Sequence, residues 1–268
     1  MKTGKKKTST KKVVLIVLGV ILALIAVLAI VIAIIAGENV KAMDACVDAV
    51  LEELQKEHTV TPVDTGDYEE MTIYGIMKFH VEQYDIEDVG NLSVMRVNMG
   101  VMQMATVVIT PQDKNLPLLS ADFMYILGNR KAYLEFYDVV AEKDEPYMAL
   151  LSGIEEVHKN FEHLEDITTS AAWYEHLLTV TVYKGGDKKA DPDLEKLLVD
   201  SLHVYLTEAK DFPRLTDEQR AEKQTITVEY TDGLIEKGGI STDVFKNSLG
   251  DEETKKFFDS VFFGTAAE

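Results

Sequence analysis

A single acidic residue, Asp122, lies inside the otherwise apolar segment "LPLLSADFMYI" (116–126). Alternate residues of a β-strand point to the same face, so Asp122 would share its face with Ser120 and Met124. If that face lines a cavity, loss of hydration would raise the pKa of the carboxyl group and make it a usable acid near neutral pH. If the side chain meets solvent or a backbone donor instead, it has no chemical role. The residues alone favour this second interpretation.

Common catalytic and cofactor-binding signatures are absent from the sequence. It contains no glycine-rich phosphate loop, HExxH pair or GxSxG motif, so nucleotide-binding, zinc-protease and serine-hydrolase functions have no support. Cys46 is the only cysteine, which excludes a disulfide or a cysteine-based zinc site within this chain. His158 and His163 are five residues apart on a predicted helix and would point to different faces. We therefore predict no metal site.

The sequence "WYEH" at 173–176 gathers side chains that could contact a ligand. The alternative is that its aromatic rings pack at the end of a helix or strand, and this alternative is favoured. Cys46 and His58 fall on a predicted helix over 39–58, where we expect structural or exposed positions for both. The sequence thus leaves Asp122 as the only candidate catalytic residue, and it identifies no ligand-binding residue.

The N-terminal region predicts a membrane anchor. Residues 1–12 carry six lysines and no acid, and residues 13–36 are 24 consecutive apolar or glycine residues. At about 1.5 Å per residue, such a helix spans about 36 Å, enough for a bilayer core of about 30 Å. A cleaved signal peptide is the alternative, but its apolar core would be about 7–15 residues long with a small-x-small cleavage site. The best such site, "VKA" ending at Ala42, is poor, so an uncleaved anchor is favoured.

Charge predicts the orientation of the anchor and the kind of partner. The basic tail before the span places the N-terminus in the cytoplasm and residues 37–268 outside it. The net charge is −19 for the whole chain and −25 without the six tail lysines. Such a surface repels nucleic acid and anionic lipid, and it suits a basic or neutral partner or simply solubility. An exposed domain without disulfides is typical of a bacterial surface.

The pattern of residues 37–268 predicts one α/β domain. Five strand-like segments between 74 and 140 are separated by breaks too short for parallel crossovers, which indicates an antiparallel meander. A further strand is predicted at 179–185. Helices are predicted before the meander at 39–58 and after it at 145–163. Another helix is predicted to begin with Asp191 as its cap, and the next with a Thr216–Gln219 capping box. Two short helices separated by Gly250 follow. The predicted fold is a three-layer α/β/α sandwich with a central antiparallel sheet, preceded by one transmembrane helix.

Two regions of the chain resemble the ferredoxin-dependent bilin reductases of the phycocyanobilin:ferredoxin oxidoreductase type. The first region carries, in order, Gly100, Gln103, Pro111, Leu116, Pro117, Asp122 and Asp138. The second is the terminal run "LTDEQ…FFG" (215–264), which carries Gln219, Tyr230, Gly250, Phe258, Val261 and Phe263. The resemblance covers roughly 75–265 and rests on the order and spacing of many weak motifs.

The resemblance implies a three-layer sandwich with an open linear tetrapyrrole, such as biliverdin, between the sheet and the C-terminal helices. It implies no metal or organic cofactor: electrons arrive singly from ferredoxin, and the protein supplies protons. Asp122 matches the family's catalytic aspartate, which hydrogen-bonds the central pyrrole nitrogens. A ferredoxin-type donor could serve only a cytoplasmic domain.

The sequence departs from the family pattern at three places. The family's catalytic histidine falls on Ala105, and its catalytic glutamate falls near residues 93–96, where no acid occurs. The late acid or amide is replaced by Gly238 and Gly239. Two functions are therefore expected: a membrane-anchored bilin-reductase-like protein with Asp122 as proton donor, or a non-catalytic extracytoplasmic domain that binds a ligand or another protein.

Overall fold

The computed structural model describes residues 10–239 and 242–266. Its helices and strands, in chain order, are α1 (Thr10–Glu57), β1 (Val60–Val63), β2 (Glu70–Ile73), β3 (Met77–Ile86), β4 (Gly90–Asn98), β5 (Met102–Pro111), β6 (Leu118–Ile126), β7 (Asn129–Tyr137), α2 (Glu145–Lys159), β8 (Glu165–Asp166), β9 (Leu178–Asp187), α3 (Asp191–Asp211), α4 (Asp217–Lys237), α5 (Thr242–Leu249) and α6 (Asp251–Phe257). A π-helical turn, Phe258–Phe262, continues α6.

An antiparallel sheet forms the middle layer. Within the described ranges its strand order is β1-β3-β4-β5-β6-β7-β9-β8, and β2 pairs with the first half of β3. Strands β3 to β7 follow one another in space as they do in sequence, which confirms the predicted five-stranded meander. The strand predicted at 179–185 is β9, and it pairs antiparallel with β7.

Helices cover both faces of the sheet. The second half of α1 packs with α2 and α3 on one face, and the core there includes Val50, Leu134, Tyr147, Leu198 and Tyr205. Helices α4 to α6 cover part of the other face, with a core that includes Phe79, Tyr137, Phe245, Phe257 and Phe258. The predicted three-layer α/β/α sandwich is confirmed.

Helix α1 continues without a break from the apolar segment into the domain. From Asn39 onward it follows the predicted amphipathic pattern, since Met43, Val47, Val50 and Leu54 are buried. Almost all side chains of residues 13–36 are exposed instead. By length and composition, this part of α1 is long and apolar enough to cross a membrane.

Two helix starts test the capping predictions. The Thr216–Gln219 capping box is present, with the Thr216 side chain accepting from the Gln219 N–H. The prediction of Asp191 as the cap of α3 is wrong, because Ala190 holds that position and Asp191 is already helical. The Asp191 carboxylate instead accepts hydrogen bonds from the buried Arg130, with its Oδ2 atom 3.1 Å from a terminal guanidinium nitrogen.

Candidate functional site

Asp122 lies at the middle of β6, on the sheet face that α4 to α6 partly cover. Its cross-strand neighbours are Thr106 on β5 and Tyr133 on β7. The Thr106 hydroxyl donates a hydrogen bond to the carboxylate. The pKa of Asp122 is raised from 3.8 to about 6. Burial is the main cause, the Thr106 hydrogen bond opposes the rise, and the nearby Glu135 charge adds to it. The group therefore exchanges a proton close to neutral pH.

A second acid, Glu135, lies on the same face, and the sequence analysis did not identify it. It pairs with Ser120 and is thus one step diagonally from Asp122 across the β6–β7 ladder. The hydroxyl groups of Tyr137 and Tyr183 donate to its two carboxylate oxygens over 2.5 and 2.8 Å. The alternating pattern "YLEFY" (133–137) could have placed Glu135 on this face, but its nearness to Asp122 depends on the strand register.

Asp138, which the resemblance aligned with a family aspartate, has a local structural role. Its carboxylate accepts a hydrogen bond from the Tyr147 hydroxyl over 3.2 Å and forms an ion pair with Lys143. Lys143 precedes α2, and Tyr147 lies in its first turn. Asp138 therefore stabilises the connection between β7 and α2.

The part of the face around Asp122 remains accessible to solvent. Its side chains are only partly buried, and they are mostly aromatic or sulfur-containing: Met104, Met124, Tyr133 and Tyr183. The rings of Tyr133 and Tyr183 lie with their centroids 5.6 Å apart. These residues form an apolar, polarisable surface on which a planar ligand could stack. We call this surface, with Asp122 and Glu135, the Asp122 face.

The remainder of the same sheet face is closed by the C-terminal segment. Ser93 Oγ donates to the Phe262 carbonyl over 2.6 Å, and Gln83 Nε2 donates to the Ser260 carbonyl over 3.0 Å. Phe257, Phe258 and Phe262 fill the space beneath this segment. The C-terminal segment therefore covers this face of β4 at Ser93. This is the part of the strand, residues 93–96, where the sequence lacks the family glutamate.

Ala105 does not lie opposite Asp122. It pairs with Phe123 and is buried in the core under α1 and α3, on the other side of the sheet. Because side chains alternate along a strand, a histidine at position 105 would point away from Asp122. Thr106 is the residue that faces the carboxylate, and Ala105 lies on the other side of the sheet.

The "WYEH" segment forms an aromatic cluster against α4. Trp173 Nε1 donates to the Gly238 carbonyl over 2.8 Å, and the Tyr174 ring lies 6.1 Å from the Tyr230 ring. Glu175 and His176 of the same segment are exposed. The favoured interpretation, aromatic packing, therefore describes this segment, and the packing forms one wall beside the Asp122 face.

Cys46 lines a cavity of about 210 Å³ on the opposite side of the sheet, between α1, β6 and α3. Burial raises the pKa of its thiol to about 12, so the thiolate is scarce at neutral pH. Within the described ranges, no group of three histidine, cysteine or acidic side chains is arranged to hold a metal ion.

No model of a protein family matches the chain, and no curated protein matches it. Among solved structures, phytochromobilin synthase from tomato, crystallised in complex with biliverdin, superposes with a TM-score of 0.69. The superposition covers 83% of this chain and 83% of that chain, with 14% sequence identity. The two proteins share a fold. The fold implied by the sequence resemblance is thereby confirmed, and biliverdin binding is a property of the tomato protein.

Replacement of Asp122 should reveal the free-energy cost of its buried charge. The folded-state pKa of about 6 lies above the ordinary value of 3.8. The charged carboxylate therefore destabilises the fold above pH 6, and this cost disappears as the pH falls through 6 towards 3.8. Because Asp122 keeps some solvent contact, we expect Asp122→Asn to raise the free energy of unfolding by about 2 kcal/mol at pH 8 and by little near pH 4.

Urea unfolding of the full-length protein in mild detergent at both pH values measures this difference. Asp48→Asn is the matched control, because Asp48 is an exposed aspartate on α1. The control should not reproduce the gain at pH 8. An Asp122→Asn variant that is less stable than wild type at pH 8 would show that the carboxylate stabilises the fold.

Proposed function

We propose that this protein is held in a membrane by residues 13–36 and binds a linear tetrapyrrole at the Asp122 face of the domain formed by residues 37–268. The observation that supports it most is Asp122 itself, a proton-exchanging carboxyl group on a solvent-accessible, aromatic and methionine-lined surface. The fold supports it too, since the tomato protein with the same fold was crystallised with biliverdin.

The Asp122 face offers the chemistry that a bilin requires. A bilin is a flat, largely apolar molecule with pyrrole nitrogens at its centre, so it can stack on Tyr133 and Tyr183 while a carboxyl group binds its nitrogens. An aromatic contact of this kind contributes about 0.5–1.5 kcal/mol beyond its buried area. The charge of Glu135 near Asp122 favours protonation of Asp122 and would favour a protonated, cationic bilin.

In the proposed reaction, one carbon–carbon double bond of the bilin takes up two electrons and two protons. The two electrons come singly from an external one-electron donor. Asp122 supplies one proton to the substrate, and the second proton comes from solvent through the reprotonated Asp122 carboxyl group. Loss of this proton to the bilin leaves the Asp122 carboxylate, which is reprotonated from solvent because the face is accessible. The protein contributes the site and the proton, and no bound cofactor is required.

A saturable absorbance change on titrating biliverdin into the full-length protein tests the binding proposal. We expect a red shift with sharpened bands, since an ordered site restricts the conformations of the bilin. Tyr133→Leu should weaken binding about 10-fold through loss of ring contact. Tyr84→Leu is the matched control: Tyr84 is also a partly buried sheet tyrosine, but it packs against the core on the α1 side. A flat titration would contradict the proposal.

The second candidate function is a non-catalytic extracytoplasmic domain on the same fold. The observation that favours it is the close packing beneath the C-terminal segment, which leaves only part of the sheet face open. The basic N-terminal tail also favours this function, because it predicts that the domain lies outside the cell. A domain there would have no access to cytoplasmic ferredoxin. A protein that binds biliverdin but never reduces it with any one-electron donor would fit this function.

The proposed orientation predicts which parts of the chain are reached from outside the cell. A cysteine at Ser248, exposed on α5, should react with a membrane-impermeant thiol reagent on intact cells. Cys46 is 3% exposed and should contribute little background. A cysteine in the tail, Thr8→Cys, is the control and should react only after lysis. The opposite pattern would place the domain in the cytoplasm and make ferredoxin accessible to it.

A further inference from the structure

Three strand connections lie together at one end of the sheet. They are residues 74–76 between β2 and β3, 99–101 between β4 and β5, and 127–128 between β6 and β7. Helix α1 enters the domain at this same end, where Asn39 Nδ2 donates to the Gln103 side chain over 2.9 Å. We call this end of the sheet the anchor end.

The tips of these connections expose large apolar side chains. The exposed fractions are 57% for Tyr74, 74% for Ile76, 49% for Val101 and 41% for Leu127. Outside the apolar part of α1, the described residues include only two other exposed large hydrophobic side chains, Val63 and Met148. The concentration of four such side chains at one end marks an interaction surface.

Two of these residues adopt backbone conformations that disfavour large side chains. Tyr74 and Leu127 have φ angles of 52° and 53°, in the left-handed region where glycine or asparagine is the usual choice. A large apolar residue at such a position costs free energy and is also exposed. Folding alone does not account for the choice of these two residues.

The charge of the anchor end differs from that of the rest of the molecule. The segments 74–78, 98–102 and 126–130 contain no acidic residue, in a chain with 46 of them. The connections at the opposite end of the sheet, 87–89, 112–117 and 138–144, contain six acids. The three connections themselves are apolar and carry no acid, and the acid that lies beside them is Asp187 of β9, opposite Asn129. On a protein otherwise strongly acidic, such connections suit a lipid bilayer better than a basic protein partner.

The path of α1 brings this surface to the bilayer. The apolar segment ends at Ala36, only three residues before Asn39, which corresponds to about 4.5 Å along the helix. The connections of the anchor end therefore lie close to the level at which the span leaves the hydrocarbon core.

We propose that Tyr74, Ile76, Val101 and Leu127 enter the interfacial layer of the membrane and dock the domain on the bilayer by its anchor end. This inference rests on the proposed membrane anchoring by residues 13–36. It holds for either orientation of the anchor, because the surface faces whichever leaflet adjoins the domain.

Docking in this way would give a continuous apolar path from the membrane to the Asp122 face. Partly buried apolar side chains extend from the anchor end towards Asp122 along paired positions of β5 and β6: Met102 opposite Ile126, and Met104 opposite Met124. Asp122 and Leu127 are five residues apart, about 16 Å along the strand. The ligand class that this arrangement suits is a flat, poorly water-soluble molecule that partitions into the membrane.

Nitroxide labels on the full-length chain in phosphatidylcholine vesicles test the docking. Labels go on Ile76→Cys and Val101→Cys, with Val63→Cys and Met148→Cys as controls at other exposed apolar positions. Collisions with oxygen, which dissolves in lipid, are compared with collisions with a water-soluble nickel chelate. We expect the oxygen-to-nickel ratio to be about tenfold higher at 76 and 101 than at 63 and 148.

Three other outcomes would overturn the docking. Equal ratios at all four positions, in a chain that resists extraction by alkaline carbonate, would refute docking and leave the anchor standing. Extraction of the chain by carbonate would refute the anchor and docking together. Spin–spin broadening at position 101, with low access to both reagents, would show that a second copy of the chain covers this surface instead of lipid.

Discussion

Asp122→Asn is expected to lower the rate of bilin reduction by about 100-fold or more, while the biliverdin dissociation constant changes by less than about threefold. Asparagine has nearly the same shape and can still accept the Thr106 hydrogen bond, but it has no proton to give. Single-turnover reduction with a chemical one-electron donor, followed by absorbance, measures the effect without requiring the natural donor.

Two comparisons separate a proton donor from a structural residue. Ser120→Ala, two residues away on the same face of β6, should keep a rate close to wild type. The wild-type rate should fall about tenfold per pH unit above the Asp122 pKa of about 6, because the protonated fraction falls by that factor. An unchanged rate in Asp122→Asn would remove the residue from the mechanism and leave Glu135 as the next acid to examine.

Gly90→Ala is expected to destabilise the domain by about 3–5 kcal/mol. Gly90 begins β4 with a φ angle of 139°, which L-residues rarely adopt. An added Cβ atom would lie 2.6 Å from the Thr110 carbonyl oxygen and 2.8 Å from the Gln112 backbone nitrogen. Both are backbone atoms, and the Gln112 N–H already donates to the Val89 carbonyl over 2.8 Å. The turn would have to open to admit the methyl group.

Gly100→Ala is the matched control for this prediction. Gly100 also has a positive φ angle, 76°, but an added Cβ atom there would meet nothing within 4 Å. We expect this variant to lose only about 1 kcal/mol, the usual cost of a left-handed alanine. Denaturant unfolding of both variants in the full-length protein measures the difference. Equal losses would mean that the φ angle, and not the steric contact, determines the cost at Gly90.

Local patterns in the sequence were enough to predict most of the architecture. The apolar run 13–36, the five strands of the meander and the Thr216–Gln219 cap each depend on residues within one element or on short connections. Asp122 could be singled out for a similar reason, since one acid in an apolar strand needs no partner to be noticed. Its altered pKa follows from burial, which the surrounding apolar residues already indicated.

The composition of the site could not be read in the same way. Two features of the site depend on the register between strands: Glu135 lies diagonally from Asp122, and Thr106 faces Asp122 where Ala105 does not. A shift of one residue in that register would reverse the face of every side chain. The C-terminal segment covers β3 and β4 through hydrogen bonds from Gln83 to Ser260 and from Ser93 to Phe262, which join positions 177 and 169 residues apart in sequence.

The sequence by itself determined an apolar N-terminal segment, an acidic α/β domain and one isolated acid in an apolar strand, because these properties belong to single elements. The tertiary structure alone decided which groups surround that acid, which part of the sheet face stays open, and that four exposed apolar side chains meet beside α1. Such properties depend on contacts between distant segments, and hydrophobic patterning within one segment carries no information about them.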